Sequence, residues 1–250
     1  KAITSNIASS YIYTGYNNLN DAFFESLDII NTAFTIADAN ANLTGTAFFN
    51  NVSNYIIPKA RLNGNWVIMS VAPESEWSIF AADPVLVETF ANNIVTAINT
   101  YGFDGVDIDW ETPTAAEAPL YTQLMQVVYE KVKANNPNHL VTTAISAGAW
   151  QVARYDLDNS LQYIDFINVM AYGLTYENGY YQNPLYPRST YHNSTFNAGK
   201  TLGTTSIDET VKLFKNTYNV PYSKMIVGTA FYGVRQTRTS TSEPWKKVSG

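Results

Sequence analysis

The stretch Asp104-Gly105-Val106-Asp107-Ile108-Asp109-Trp110-Glu111 decides how this chain is read. In an extended strand, side chains alternate between faces. Asp107, Asp109 and Glu111 therefore share one face, and Val106, Ile108 and Trp110 share the other. The apolar face suits packing on helices, which leaves three carboxylates in a row on the inner side. Like charges on adjacent inward positions are costly to bury unless protons are shared or partners are present. A strand built only for stability would not carry them. Asp104 falls on the face of Val106 by the same parity and is expected to be structural.

Alternating acids can also form a solvated face or hold a divalent cation. The Val, Ile and Trp opposite, and the helix before the motif, argue against a solvated edge. Physics alone leaves the cation reading open. The third reading is acid/base chemistry on a carbohydrate. Crowding raises carboxyl pKa values, and a Glu held protonated near neutral pH can donate to a leaving glycosidic oxygen. Glu111 ends the row, at what would be the C-terminal mouth of a barrel, and takes the acid role. Asp107 and Asp109 would titrate as a coupled pair.

Outward from the motif, the chain alternates between short apolar runs and amphipathic stretches. Val87, Phe90, Ala91, Ile94, Val95 and Ile98 have helical spacing and lead into the motif. Leu120, Leu124, Val127 and Val128 predict a helix after it. Further strand candidates are residues 11–14, 28–34, 66–70, 140–146, 164–172 and 225–232. Ser206-Ile207-Asp208-Glu209 reads as a capping box opening another helix. The pattern predicts an α/β fold, a (β/α)8 TIM barrel, with seven strand candidates where closure needs eight. Nothing in 233–250 reads as a buried strand. The expectation is a single domain over 1–250, cut before its eighth strand, in a protein that continues past Gly250. No internal repeat or linker is visible.

Composition narrows the chemistry. The formal charge of −6, with no Lys/Arg cluster, argues against nucleic acid or an anionic membrane surface as partner. The absence of cysteine removes disulfides, Cys-ligated zinc and thiol nucleophiles. Two histidines, His139 and His192, leave little for a metal site or a Ser-His-Asp triad. No apolar run approaches the roughly 20 residues of a membrane span. The 18 Tyr, 5 Trp and 12 Phe suit a surface that stacks sugar rings.

The four acids Asp104, Asp107, Asp109 and Glu111 match the DxxDxDxE signature, and by it the chain resembles the family 18 glycoside hydrolases (chitinase-like). Gly105 and Trp110 also fit that pattern. Ile29 to Phe34, Asn168 to Tyr172 (with its Met-x-Tyr element) and Gly228 to Gly233 resemble the family's second, sixth and seventh strands. The resemblance implies retaining, substrate-assisted hydrolysis of β-1,4-linked N-acetylglucosamine polymers or oligomers such as chitin. In it, Glu111 protonates the scissile oxygen and the substrate's acetamido carbonyl attacks the anomeric carbon. Asp109 holds the acetamido N–H, Asp107 shares a proton with Asp109, and the Tyr172 hydroxyl holds the acetamido oxygen. Met170 and Gly173 would line the same subsite. No metal or organic cofactor is implied, and the protein is expected to be a secreted, extracellular bacterial monomer.

Two positions depart from the family pattern. Gly173 replaces the usual Asp or Asn, and Ser70 is followed by Val71-Ala72-Pro73 rather than a Ser-x-Gly-Gly element, which adds bulk beside the acids. Trp150 and Tyr232 are the favoured sugar platforms. Trp77, Trp110, Tyr176, Tyr180 and Tyr181 are further candidates, although parity turns Trp110 outward. The alternatives are an endo-β-N-acetylglucosaminidase acting on N-glycans and a non-catalytic chitin-binding lectin on the same barrel.

Overall fold

The computed structural model describes residues 6–174, 183–186 and 206–232. Within them, the expected barrel is present as seven parallel strands. These are β1 (Ser9–Ile12), β2 (Ile29–Ala37), β3 (Trp66–Pro73), β4 (Gly105–Ile108), β5 (Leu140–Ser146), β6 (Phe166–Met170) and β7 (Met225–Val227). Each pairs with its neighbour in that order, and a short antiparallel strand, Leu43–Thr44, adds to β2. All seven strand candidates form strands. Three are shorter than the apolar runs suggested: β4 ends at Ile108, β6 runs only from Phe166 to Met170, and β7 has three residues.

The longest helices are α1 (Pro84–Tyr101), α2 (Ala118–Asn135) and α3 (Ile207–Thr217). Asp83 caps α1 by accepting from the Val85 N–H, Pro84 occupies its first turn, and Gly102 ends it in a left-handed conformation (φ 82°). Val87, Phe90, Ala91, Ile94 and Ile98 are the face α1 buries, as their spacing predicts. At α3 the Ser206 hydroxyl accepts from the Glu209 N–H and donates to the Glu209 carboxylate, both at 3.2 Å. No helix among the described residues is long and apolar enough to cross a membrane.

Strand parity divides the core in two. Outward residues such as Val67, Met69, Val106, Ile108 and Val141 join the helices in one large apolar layer. Inward residues Ile29, Ile68 and Leu140, with Trp66, Phe166 and Ile226 against them, form a small plug inside the base of the barrel. Above the plug the inward positions turn polar. Gly105 is required by the same packing, because a Cβ there would lie 2.1 Å from the Leu140 carbonyl oxygen.

A short recurrence, invisible in the sequence alone, orders the base. Asp28, Asp104 and Asp165 each stand just before an even strand. The Asp28 N–H donates to the Ala8 carbonyl (2.8 Å), and its carboxylate accepts the Ala8 N–H (3.0 Å). Asp104 clasps Val67 in the same way, with both bonds at 2.8 Å. Asp165 clasps Val141, again with both at 2.8 Å. Arg61 and Lys133 add ion pairs at 2.7 Å to Asp104 and Asp165. Three residues after each Asp comes an inward, buried polar side chain: Asn31, Asp107 or Asn168. The clasp fixes the register of each strand pair and so sets the tier at which these polar groups enter the barrel. Asp104 thus has the structural role its parity predicted.

Candidate active site

The acidic row begins below the cleft. Asp107, on β4, is fully buried, and its carboxylate accepts four side-chain hydrogen bonds from four other strands. The Tyr11 hydroxyl (2.8 Å) and Ser70 Oγ (3.0 Å) reach one oxygen. Thr142 Oγ1 (2.7 Å) and Asn168 Nδ2 (3.0 Å) reach the other. Burial pushes its pKa up while the four donors pull it down, and burial wins.

Asp109 and Glu111 rise from this floor into an open cleft of about 680 Å³ at the C-terminal mouth of the barrel. Asp109 is hydrogen-bonded to Glu111, and its pKa is pushed up to about 9. Burial is the largest cause, followed by the charges of Glu111 and Asp107 and the bond to Glu111 itself. The resemblance implied a proton shared between Asp107 and Asp109, and here the geometry differs. The bonds around Asp107 come from hydroxyls and an amide, so Asp109 turns to Glu111, and its Oδ1 is left without a partner. Tyr172, across the cleft, has a pKa raised to about 12, first by burial and then by the charge of Glu111. Its hydroxyl keeps its proton at any ordinary pH and is available as a donor.

Met170 and Tyr232 line the same cleft, with Tyr232 61% exposed and its ring centroid 6.4 Å from that of Tyr172. Gly173 does not line it; it lies just past Tyr172 with φ 65°, and a Cβ there would meet nothing within 4 Å. Trp150 is 56% exposed but also stands off the cleft lining, with the Arg154 guanidinium 4.4 Å from its ring centre. Trp110 and Trp77 are not sugar platforms. They are 4% and 3% exposed and stack on each other at 5.7 Å inside the outer apolar layer. Parity had turned Trp110 that way, and the packing leaves it no surface to offer. β3 continues through Val71, Ala72 and Pro73, pairing Ala72 and Pro73 with Ile36 and Ala37, and the Val71 carbonyl accepts the Asp109 N–H at 3.0 Å. Tyr176, Tyr180 and Tyr181 lie outside the described residues.

The structure adds residues the motif did not name. Tyr11, Thr142 and Asn168 complete the shell of Asp107, and Tyr13 and Phe34 form part of the cleft wall. Tyr11, Thr142 and Asn168 are polar residues at inward strand positions. That parity was the available signal. Phe34 gave none, since it sits in a register break of β2 between Thr32 and Thr35.

Comparison with known proteins agrees with this fold. The family profile described as Glycosyl hydrolases family 18 matches residues 8–247. Chitinase A1 of Niallia circulans is 28% identical over 185 residues, which is 64% of this chain and 25% of that protein. Chitotriosidase-1 of Mus musculus is 29% identical over 171 residues, 62% of this chain and 35% of that protein. The chain thus spans about a quarter to a third of these curated relatives. Among solved structures, a family 18 N-acetylglucosaminidase from Paenibacillus barengoltzii superposes with TM-score 0.76 at 21% identity, covering 91% of this chain and 69% of that one. The chitinase domain of a Clostridium difficile spore coat protein gives TM-score 0.74 at 22% identity, covering 92% and 66%. These two likenesses are of fold.

Proposed function

The chain belongs to glycosyl hydrolase family 18, and from that footing we propose that it cleaves β-1,4-linked N-acetylglucosamine polymers or oligomers with retention, using the substrate's own acetamido group as nucleophile. The observation that carries this reading is the proton-holding pair of Asp109 and Glu111 at the mouth of the cleft, with the Tyr172 hydroxyl facing it.

In the free protein Asp109, hydrogen-bonded to Glu111, holds a proton at neutral pH. An acetamido N–H donating to Asp109 favours the carboxylate there, which drives the shared proton to Glu111. Glu111 passes it to the glycosidic oxygen as the C1–O bond breaks and the leaving sugar departs with its hydroxyl. The acetamido carbonyl oxygen attacks C1 from the other face, giving an oxazolinium ion. The Tyr172 hydroxyl donates to that oxygen and orients it, while the Asp109 carboxylate offsets the positive charge. Water then attacks C1, Glu111 takes its proton, and the pair is restored. Asp107, held by four donors, forms the floor beneath Asp109.

The acids, Tyr172 and the shell of Asp107 come from one chain, which supports a single catalytic domain acting as a monomer. An insoluble polymer cannot enter a cell, so the proposed site of action is extracellular. A lectin on this barrel would have no use for a proton held against Glu111. The test is release of a fluorophore from N-acetylglucosamine oligomers and from N-glycan substrates, comparing the protein with Glu111→Gln. Hydrolysis lost in the variant supports the reading, and the substrate that turns over separates chitin from N-glycan. Oligomer binding without turnover on either would sink it in favour of a lectin.

A further inference from the structure

Glu111 lies beyond the end of β4, so the sheet does not hold it. The carbonyls on either side of Asp109 are instead taken, one after another, by side chains from neighbouring elements. Thr143 Oγ1 donates to the Ile108 carbonyl (2.8 Å), Trp77 Nε1 to that of Asp109 (3.0 Å), and the Tyr155 hydroxyl to that of Trp110 (2.7 Å). Tyr155 also hydrogen-bonds the Thr112 side chain, so its one hydroxyl touches the residue before Glu111 and the residue after it. Trp77 and Tyr155 are buried, and neither lines the cleft. Between them the Trp110 ring is stacked flat on Trp77 and met edge-on by Tyr121 at 6.0 Å.

Three buried side chains that each give a donor to consecutive carbonyls of an irregular segment hold its backbone where no ladder does. Generic packing would need only the rings. The hydroxyl of Tyr155 and the indole N–H of Trp77 are specific to the segment that carries the acids. We propose that Tyr155, supported by Trp77, is a positioning residue for hydrolysis: it fixes the backbone on both sides of Glu111 and so sets where the acid meets the glycosidic oxygen. This rests on Glu111 being the acid of the proposed reaction.

The test compares Tyr155→Phe and Trp77→Phe with the wild type and with Thr32→Val. The last removes a buried hydroxyl that bonds the Ile68 carbonyl at 3.0 Å, away from the acids. Displacement of a reacting group by about an ångström costs on the order of 100-fold in rate. Tyr155→Phe is expected to lose about 10- to 100-fold in kcat with KM within about twofold. Trp77→Phe is expected to lose less in the same direction, and the pH profile of both should shift on its alkaline side. Thr32→Val should lower Tm with kcat unchanged. Wild-type kcat in folded Tyr155→Phe, or a kcat loss in Thr32→Val equal to it at matched Tm, would overturn the positioning role while leaving the hydrolytic reading in place. Should Tyr155→Phe not fold, wild-type kcat in Trp77→Phe would overturn it equally. A wild type inert on every N-acetylglucosamine substrate would remove the hydrolytic reading and this inference with it.

Discussion

Asp109 is hydrogen-bonded to Glu111, and the proton between them is held up to about pH 9 by burial and by the two negative charges on either side of Asp109.

The activity that follows is lost on the alkaline side. As pH rises toward about 9 the pair gives up its proton, and kcat/KM should fall with one ionisation. Asp109→Asn removes that ionisation and the negative charge proposed to offset the oxazolinium ion, so kcat should drop by about 100-fold or more. A pH–rate profile that is flat to pH 10 in the wild type, on the order of one unit beyond the pair, would contradict this.

Stability should respond to the same proton. An unfolded Asp releases it near pH 4, whereas the folded pair keeps it to about 9. In that window the native state binds more protons than the unfolded chain, so stability declines as pH rises. Thermal melts at about pH 5 and about pH 8 should show the wild type losing several degrees and Asp109→Asn losing less. Equal losses in the two proteins would speak against the shift.

The shell of Asp107 should be costly to open. Thr142→Val removes the 2.7 Å donor and leaves part of a buried carboxylate unmatched, a loss of about 1–3 kcal/mol. Urea unfolding measures it. Asp107→Asn would set amide hydrogens against two of the four donors, whichever oxygen is replaced, so it should be worse than Thr142→Val.

The base of the barrel should be separable from the chemistry. Asp165→Ala deletes the acceptor of the Val141 N–H and a partner of Lys133, and should cost about 1–3 kcal/mol. For a domain of this size that is roughly 2–4 °C in Tm per kcal/mol. The folded fraction should keep its kcat, and a specific kcat loss at a temperature where the variant is fully folded would refute the separation.

What was legible in the sequence was local. The alternation Val106, Asp107, Ile108 survives because those residues are in a strand, and the spacing from Val87 to Ile98 survives because it is a helix. Parity even placed Trp110 on the outer side, although the sheet had ended at Ile108. The partners of Asp107 were not legible as a set, since Tyr11, Ser70, Thr142 and Asn168 come from four strands spread across the barrel. The pairing of Asp109 with Glu111 was equally hidden. It depends on what Asp107 already holds, and that is a fact of tertiary structure.

The plug of Ile29, Ile68 and Leu140 has a kinetic meaning as well as a structural one. A nearly closed barrel stopped at its base offers its C-terminal mouth as the way in. In a hydrolase built on it, substrate, departing sugar and incoming water all pass over the same rim. In the proposed reaction, water would come in over that rim after the first product has gone out, so the apolar floor bears on the succession of events.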